Sequence, residues 1–492
     1  MLAAAGCSFV HVYSAANHPW REAGAPPATR ATLTLADAEP DRDIFVGIAM
    51  SGGGSRAANF SAATLLELET LGFLKHATAI SAVSGSSLTA AYYGLYGRDD
   101  QYWNSTTVRE RFALDFQTRW IVRWFNPWNI IRYWFTDFDR SDIMKGVFDT
   151  HLFGGRRPPT FSDMGAGRPK ILINAISLPQ SGPFVFTDEA FVQLGSRLDR
   201  YPLSHAVMAS GAFPGAFHNV TLKDFRRPGF FEHLFDGGPG DNLGVHILLR
   251  MIDATKPRKG CFIFIVDAFP YKTGAGEKQS DTRSVLDFIV DHNALDSADV
   301  FLTLRRYDTL QRRLNYCGKA VGEIPQWTFT TDGGIRCEVW HLTFQSLEER
   351  SETGTTSAQQ ARDNLRREVT NWKQVNLIPT RYRLKGPEGM KDAREVQGLV
   401  FGVAQHLLRD DDDALPNACA WFNVRKLSAC EHVQLPPPAP AMTPHRSSPF
   451  PCRGRASDRA RAARIGAGVA ARADPDPRAS TARRRLEVVI DR

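Results

Sequence analysis

The chain has 492 residues, 43% of them apolar, 23% charged and 11% aromatic, long enough to bury one large α/β domain with additions. That composition excludes a collagen-like or wholly disordered chain, and no run of about 18 apolar residues marks a membrane-spanning helix. Residues 436–492 hold 12 Arg, no Lys and 5 acidic residues, which accounts for the whole net charge of +7; the remaining body is electrically balanced, and no nucleic-acid partner is expected.

In chain order, Leu2-Ala-Ala-Ala-Gly6-Cys7 reads as the end of a truncated bacterial lipoprotein signal, with small residues before a lipidation-candidate Cys7. On that reading residues 1–41 are signal and tether, and the protein sits on a bacterial membrane facing the periplasm or exterior. An ordinary Ala-rich start, with a cytoplasmic protein, is the alternative. The body, residues 42–435, opens with the apolar strand Ile44–Met50 and the turn Ser51-Gly52-Gly53-Gly54-Ser55-Arg56, then a helix from Ala57 to about Leu71. A second strand, Ala77–Val83, runs through Ser84-Gly85 into a helix, Ser87–Tyr96. Strand, tight turn and helix, repeated, predict a parallel α/β sheet. Further strands are expected at Lys170–Leu178 and Cys261–Phe269, and helices at Tyr201–Ala209, Val245–Asp253 and Gln359–Asn376. Residues 118–138 gather four tryptophans with Arg119, Arg123 and Arg132, a composition that suits a lipid-facing cap or a cap packing its own aromatics. The run Asp410–Asp413 lacks calcium-ligand spacing and reads as a solvated loop. The Arg/Ala/Pro-rich tail 436–492 has too little apolar content to offset its ordering entropy and reads as disordered.

The seven cysteines show no Cys-x-x-Cys pair with a partner His, so no metal is expected. Cys317/Cys337 and Cys419/Cys430 are spaced to close short loops in an oxidising compartment.

Three constellations carry chemistry. The Gly52–Arg56 turn, between strand and helix, presents backbone N–H groups to an anion. It lacks the Lys of a phosphate-binding loop and the carboxylate about 20 residues on that a dinucleotide fold needs, which leaves an oxyanion hole. Ala82-Val83-Ser84-Gly85-Ser86 has the small flanking residues of a nucleophile elbow. Leu234-Phe235-Asp236-Gly237-Gly238 ends an apolar segment in a carboxylate and a glycine turn, and Asp236 is expected at the sheet edge where Ser84 emerges.

Together these residues resemble the patatin-like phospholipases and the catalytic domains of group IV cytosolic phospholipases. The resemblance extends over roughly residues 44–270 and includes Arg140-Ser-Asp142, His151-Leu-Phe-Gly-Gly155 and Ala209-Ser-Gly-Ala-Phe-Pro214. It departs from the usual glycines at Ala82 and Ser86, both small. It implies a three-layer α/β fold with a mostly parallel sheet and a Ser–Asp dyad of Ser84 and Asp236. Gly52, Gly53, Gly54 and Arg56 would form the oxyanion loop, and Gly237 and Gly238 the dyad-acid turn. The expected reaction is acyl-ester hydrolysis of phospholipid or lysophospholipid at a membrane surface, without cofactor. Two rivals stand beside it: an α/β-hydrolase esterase whose base is His246 or His292, and a lipid-binding protein without catalysis. Residues 271–435 carry no recognisable motif.

Overall fold

A computed structural model describes residues 15–20, 43–154, 157–165, 169–180, 182–270, 327–330, 335–344, 346–349, 372–386, 392–410 and 414–431. Cys7, His292, Cys317 and the tail 436–492 lie outside the described residues, as does most of Gln359–Asn376. Its described end belongs to a 3-10 turn, Lys373–Leu377.

Strands β1 (Ile44–Met50) and β7 (Gly260–Asp267) are nearly continuous apolar runs, buried on both faces as central parallel strands must be. Each pairs in parallel with the other. Outside them β2 (Ala79–Val83) joins β1, β3 (Lys170–Ser177) joins β2, and β9 (Arg336–Thr343) joins β7, all parallel. Antiparallel strands finish both margins: β6 (Phe231–Asp236) and β5 (Val220–Lys223) beyond β3, and β8 (Trp327–Thr330) beyond β9. A short β4 (Gly182–Val185) also pairs with β3. The order across the sheet is β5-β6-β3-β2-β1-β7-β9-β8.

Side chains alternate along β1, and the alternation separates two cores. Val46, Ile48 and Met50 pack with the helices α1 (Gly54–Thr70) and α2 (Ser86–Tyr96) and with the C-terminal helix Ala393–Arg409. Phe45 and Ala49 pack with the helix Val245–Thr255 on the other face. Helices on both faces of a mostly parallel sheet give the three-layer α/β architecture expected from the sequence.

The disulfides differ from expectation at one pair. Cys419 is bonded to Cys430, but Cys337 is bonded to Cys261. Those two are register partners on neighbouring strands β7 and β9, with Cα atoms 4.6 Å apart. Sheet pairing brings them together across 76 residues of sequence, a proximity that loop spacing does not report. Of the acidic run only Asp410 is described, and its carboxylate is 2.7 Å from His406 Nδ1.

The aromatic block forms two helices, Phe116–Trp124 and Pro127–Phe135. Asp115 and Asn126 cap them by accepting from Thr118 N and Trp128 N, and Pro127 occupies the first turn, where no N–H partner is needed. Trp120 turns inward and donates through Nε1 to the Arg140 carbonyl. The second helix buries nothing, and Val122, Phe125, Trp128 and Trp134 are exposed, Trp128 at 66% and Trp134 at 70%.

Candidate active site

Strand β2 delivers Ser84 into the left-handed region at φ 51°, a conformation that costs free energy for a residue with a Cβ. Hydrogen bonds hold it there. Ser84 N donates to Ser210 Oγ (2.8 Å), Ser210 Oγ to Asn174 O (2.7 Å), and Ser87 Oγ back to Ser84 O (2.5 Å). The strained turn lifts the side chain off the strand at the start of α2, whose dipole favours negative charge there.

The residues around the elbow are small for a steric reason. A Cβ on Gly85 would come within 2.0 Å of the Gly54 carbonyl oxygen, so this turn and the glycine-rich loop are in backbone contact. Ala82 is fully buried in β2. Ser86, where glycine is usual, bridges the two turns: its Oγ lies 2.5 Å from Ser51 O and 2.7 Å from Ser61 Oγ.

Asp236 ends β6, which runs antiparallel to β3 and therefore reaches the site from the direction opposite to β2. Val83 is level with Asn174 and Asp236 with Ala175, so Ser84 and Asp236 meet in one row across β3. Thus Asp236 is beside Ser84, but not as the end of a parallel strand. Ser84 Oγ donates to Asp236 Oδ2 at 2.7 Å and Gly238 N to Oδ1 at 2.8 Å. Gly237 N donates to Ser210 O, and a Cβ on Gly237 would lie 2.5 Å from Asn174 O, which explains the glycine at that position. Ser84 is 8% and Asp236 3% exposed. Burial pushes the Asp236 carboxyl up to about 6, against the opposing pull of Gly238 N–H and the Ser84 hydroxyl. At neutral pH it is a carboxylate with usable basicity.

The glycine-rich loop divides into two functions. Gly53 and Gly54 adopt φ 142° and 58°, and among the described residues their N–H groups, like that of Gly85, meet no acceptor. Gly52 N–H instead donates to Asn242 O at 3.0 Å, so it fastens the loop and is not an open anion donor. Arg56 also departs from the expected role. It is 1% exposed, with Nε donating to Ala268 O at 2.8 Å, Nη1 to Ile378 O and Nη2 to Thr380 Oγ1 at 3.3 Å. Its guanidinium clamps protein backbone.

That clamp exposes what sequence reasoning missed. Residues 378–384, from the stretch without a motif, cross the site as a strap. Ser55 N donates to Arg381 O, Gln117 N to Tyr382 O, and Tyr382 Oη to Gly211 O at 3.2 Å. Burial, and then the negative charge of Asp236, hold the Tyr382 phenol well above the usual tyrosine range. Nothing in Thr380-Arg-Tyr-Arg383 signals this placement. His246 lies elsewhere: its N–H donates to Asp241 Oδ2 at 2.7 Å, and its ring Nδ1 is 3.9 Å from the same oxygen. Among the described residues no three His, Cys, Asp or Glu side chains converge as a metal site would require.

Residues 48–249 match the family model for patatin-like phospholipases. No curated protein matches the chain. Human GIVD cytosolic phospholipase A2 is similar at 13% identity and a TM-score of 0.41, over 84% of this chain and 66% of that one. Its complex with methyl gamma-linolenyl fluorophosphonate gives 14% and 0.42, over 78% and 59%. VipD from Legionella pneumophila gives 11% and 0.27, over 75% and 67%. The chain thus spans just under two thirds of the human enzyme's length.

Proposed function

We propose, from the premise that residues 48–249 form a patatin-like phospholipase domain, that this chain is a lipid acyl hydrolase working through Ser84 and Asp236. Asp236 takes the hydroxyl proton as Ser84 Oγ attacks the ester carbonyl. The tetrahedral oxyanion is received by the N–H groups of Gly53 and Gly54 and by Gly85, the residue after the nucleophile. Protonated Asp236 returns its proton to the departing alcohol, leaving an acyl-enzyme on Ser84. Water, activated by the same carboxylate, then releases the fatty acid and regenerates the serine.

The observation that carries this reading is the direct 2.7 Å bond from Ser84 Oγ to a buried carboxylate. A Ser–Asp–His triad would interpose an imidazole there, and His246 is turned to Asp241 instead. The substrate class is glycerolipid ester, phospholipid or lysophospholipid. The exposed aromatic helix Pro127–Phe135, with Arg119, Arg123 and Arg132 beside it, suits contact with a lipid surface. A fluorophosphonate probe tests the chemistry: the wild type is labelled and hydrolyses a phospholipid ester, whereas Ser84→Ala does neither. Absence of wild-type labelling, or labelling that survives in Ser84→Ala, would overturn the assignment and favour a non-catalytic lipid binder or another nucleophile.

A further inference from the structure

We infer that Ser51 is a positioning residue for the oxyanion hole, its hydroxyl holding the Gly52 carbonyl so that the Gly53 N–H stays aimed at the ester; this rests on the acyl-hydrolase reading above. Ser51 follows β1 and is fully buried, so it touches no substrate and acts through its neighbour. Its hydroxyl has a single proton, and the partners assign it. Ala268 N donates to Ser51 Oγ at 2.8 Å, and Ser51 Oγ donates to Gly52 O at 3.2 Å. Gly52 C=O and Gly53 N–H belong to one planar trans peptide unit, in which the two groups point in opposite directions. Holding the carbonyl therefore fixes the direction of Gly53 N–H, which meets no acceptor among the described residues. Three consecutive glycines need such a hold, because glycine turns about its backbone bonds more freely than any other residue. Were that peptide plane to flip, a carbonyl oxygen would face the oxyanion in place of a donor.

The hydroxyl is itself anchored in the sheet. Ser51 N donates to Val266 O at 2.9 Å, and Ser51 O accepts from Ser86 Oγ at 2.5 Å, which ties the residue to β7 and to the start of α2. Ala268, which follows β7, is held in its turn by Asp267. That carboxylate accepts from Phe269 N at 3.1 Å through Oδ1, and its Oδ2 lies 2.9 Å from His341 Nε2 on the neighbouring strand β9. The Ala268 carbonyl accepts from Arg56 Nε at 2.8 Å. Ala268 thus grips the glycine-rich loop at both ends, through Ser51 and through Arg56, with Gly53 and Gly54 between them. Gly52 N is fastened separately to Asn242 O at 3.0 Å. Both backbone groups of Gly52 are therefore held.

The chemistry says which rate constant such a hold affects. The ester oxygen carries far more negative charge in the tetrahedral intermediate than in the bound substrate. A well-aimed donor therefore lowers the barrier more than it tightens binding. Loss of the aim appears in kcat and leaves KM nearly unchanged, whereas general damage to the cleft would alter both.

The test compares wild type with Ser51→Ala, Ser51→Thr and Ser51→Cys by kcat and KM on a soluble ester. Inhibition by a trifluoromethyl ketone, whose adduct with Ser84 carries an oxyanion, is measured alongside. In Ser51→Ala kcat is expected to fall about 10–100-fold with KM changed less than about 2-fold, and ketone inhibition to weaken by the same factor as kcat/KM. Ser51→Thr restores the hydroxyl and should bring kcat to within about 5-fold of wild type. Four results would each overturn the inference: wild-type kcat in Ser51→Ala, a loss confined to KM, unchanged ketone inhibition, or a Ser51→Thr enzyme no faster than Ser51→Ala. Should Ser51→Ala fail to fold, Ser51→Cys keeps the size of the side chain with a weak donor. A kcat below that of Ser51→Thr then supports the role, and one equal to or above it refutes the role. Failure of the acyl-hydrolase reading is separate, because then the wild type itself is not labelled by a fluorophosphonate at Ser84.

Discussion

Replacing Asp236 by Asn separates what the carboxylate does for catalysis from what it costs the fold. The carboxyl is buried, and its pKa of about 6 stands above the ordinary 3.8 that the unfolded chain would show. The folded state therefore binds its proton more tightly than the unfolded state. The stability this contributes is complete below pH 3.8 and is lost as pH rises through about 6. At about 1.4 kcal/mol per unit of pKa difference, the loss amounts to roughly 3 kcal/mol by pH 8 and about half that at pH 5. Asp236→Asn has no such pH-dependent loss, and its amide oxygen can still accept from Gly238 N. The variant should therefore gain on the wild type by roughly 1–2 kcal/mol more at pH 8 than at pH 5, while losing about 10³-fold or more in ester hydrolysis. Urea midpoints at the two pH values, with Ser84→Ala as an inactive control that keeps the carboxylate, measure the difference. A stability gap independent of pH, or one that shrinks toward pH 8, would refute the argument that Asp236 is a buried carboxylate held in place for its basicity.

Other outcomes follow from the same geometry. The rate kcat/KM on a soluble ester should fall with an acid limb near pH 6, since only ionised Asp236 accepts the serine proton; a flat profile from pH 5 to 8 would contradict the role. Gly85→Ala puts a Cβ 2.0 Å from the Gly54 carbonyl. It should cost about 1–3 kcal/mol of stability and about 100-fold in activity, read by thermal melting and ester turnover. Arg56→Met leaves Ala268 O and Ile378 O without their buried donor and should destabilise by roughly 2–5 kcal/mol in urea titration. Trp128→Ala with Trp134→Ala removes rings that pack little against the protein. The melting temperature should hold while affinity for anionic vesicles, measured by co-sedimentation, drops about 10-fold or more.

The sequence by itself determined the framework of the site. Unbroken apolar runs such as Ile44–Met50 and Cys261–Val266 have few uses besides buried parallel strands. Small residues on either side of Ser84 and after Asp236 report turns in which backbone meets backbone, and the 2.0 Å gap at Gly85 is the physical content of that signal. Local pattern and local geometry coincide there, so those residues were legible. What only the tertiary structure decided involves partners distant in the chain. Cys337 chose Cys261 because two strands are in register, and Asp236 reached Ser84 along an antiparallel strand. Arg56, expected from the resemblance in the oxyanion loop, has donors bonded to Ala268 and Ile378, 212 and 322 residues away. Tyr382 was invisible for the same reason. A side chain that reaches Gly211 O from a crossing segment needs no periodicity, no spacing and no turn of its own, so nothing in its neighbours records where it goes.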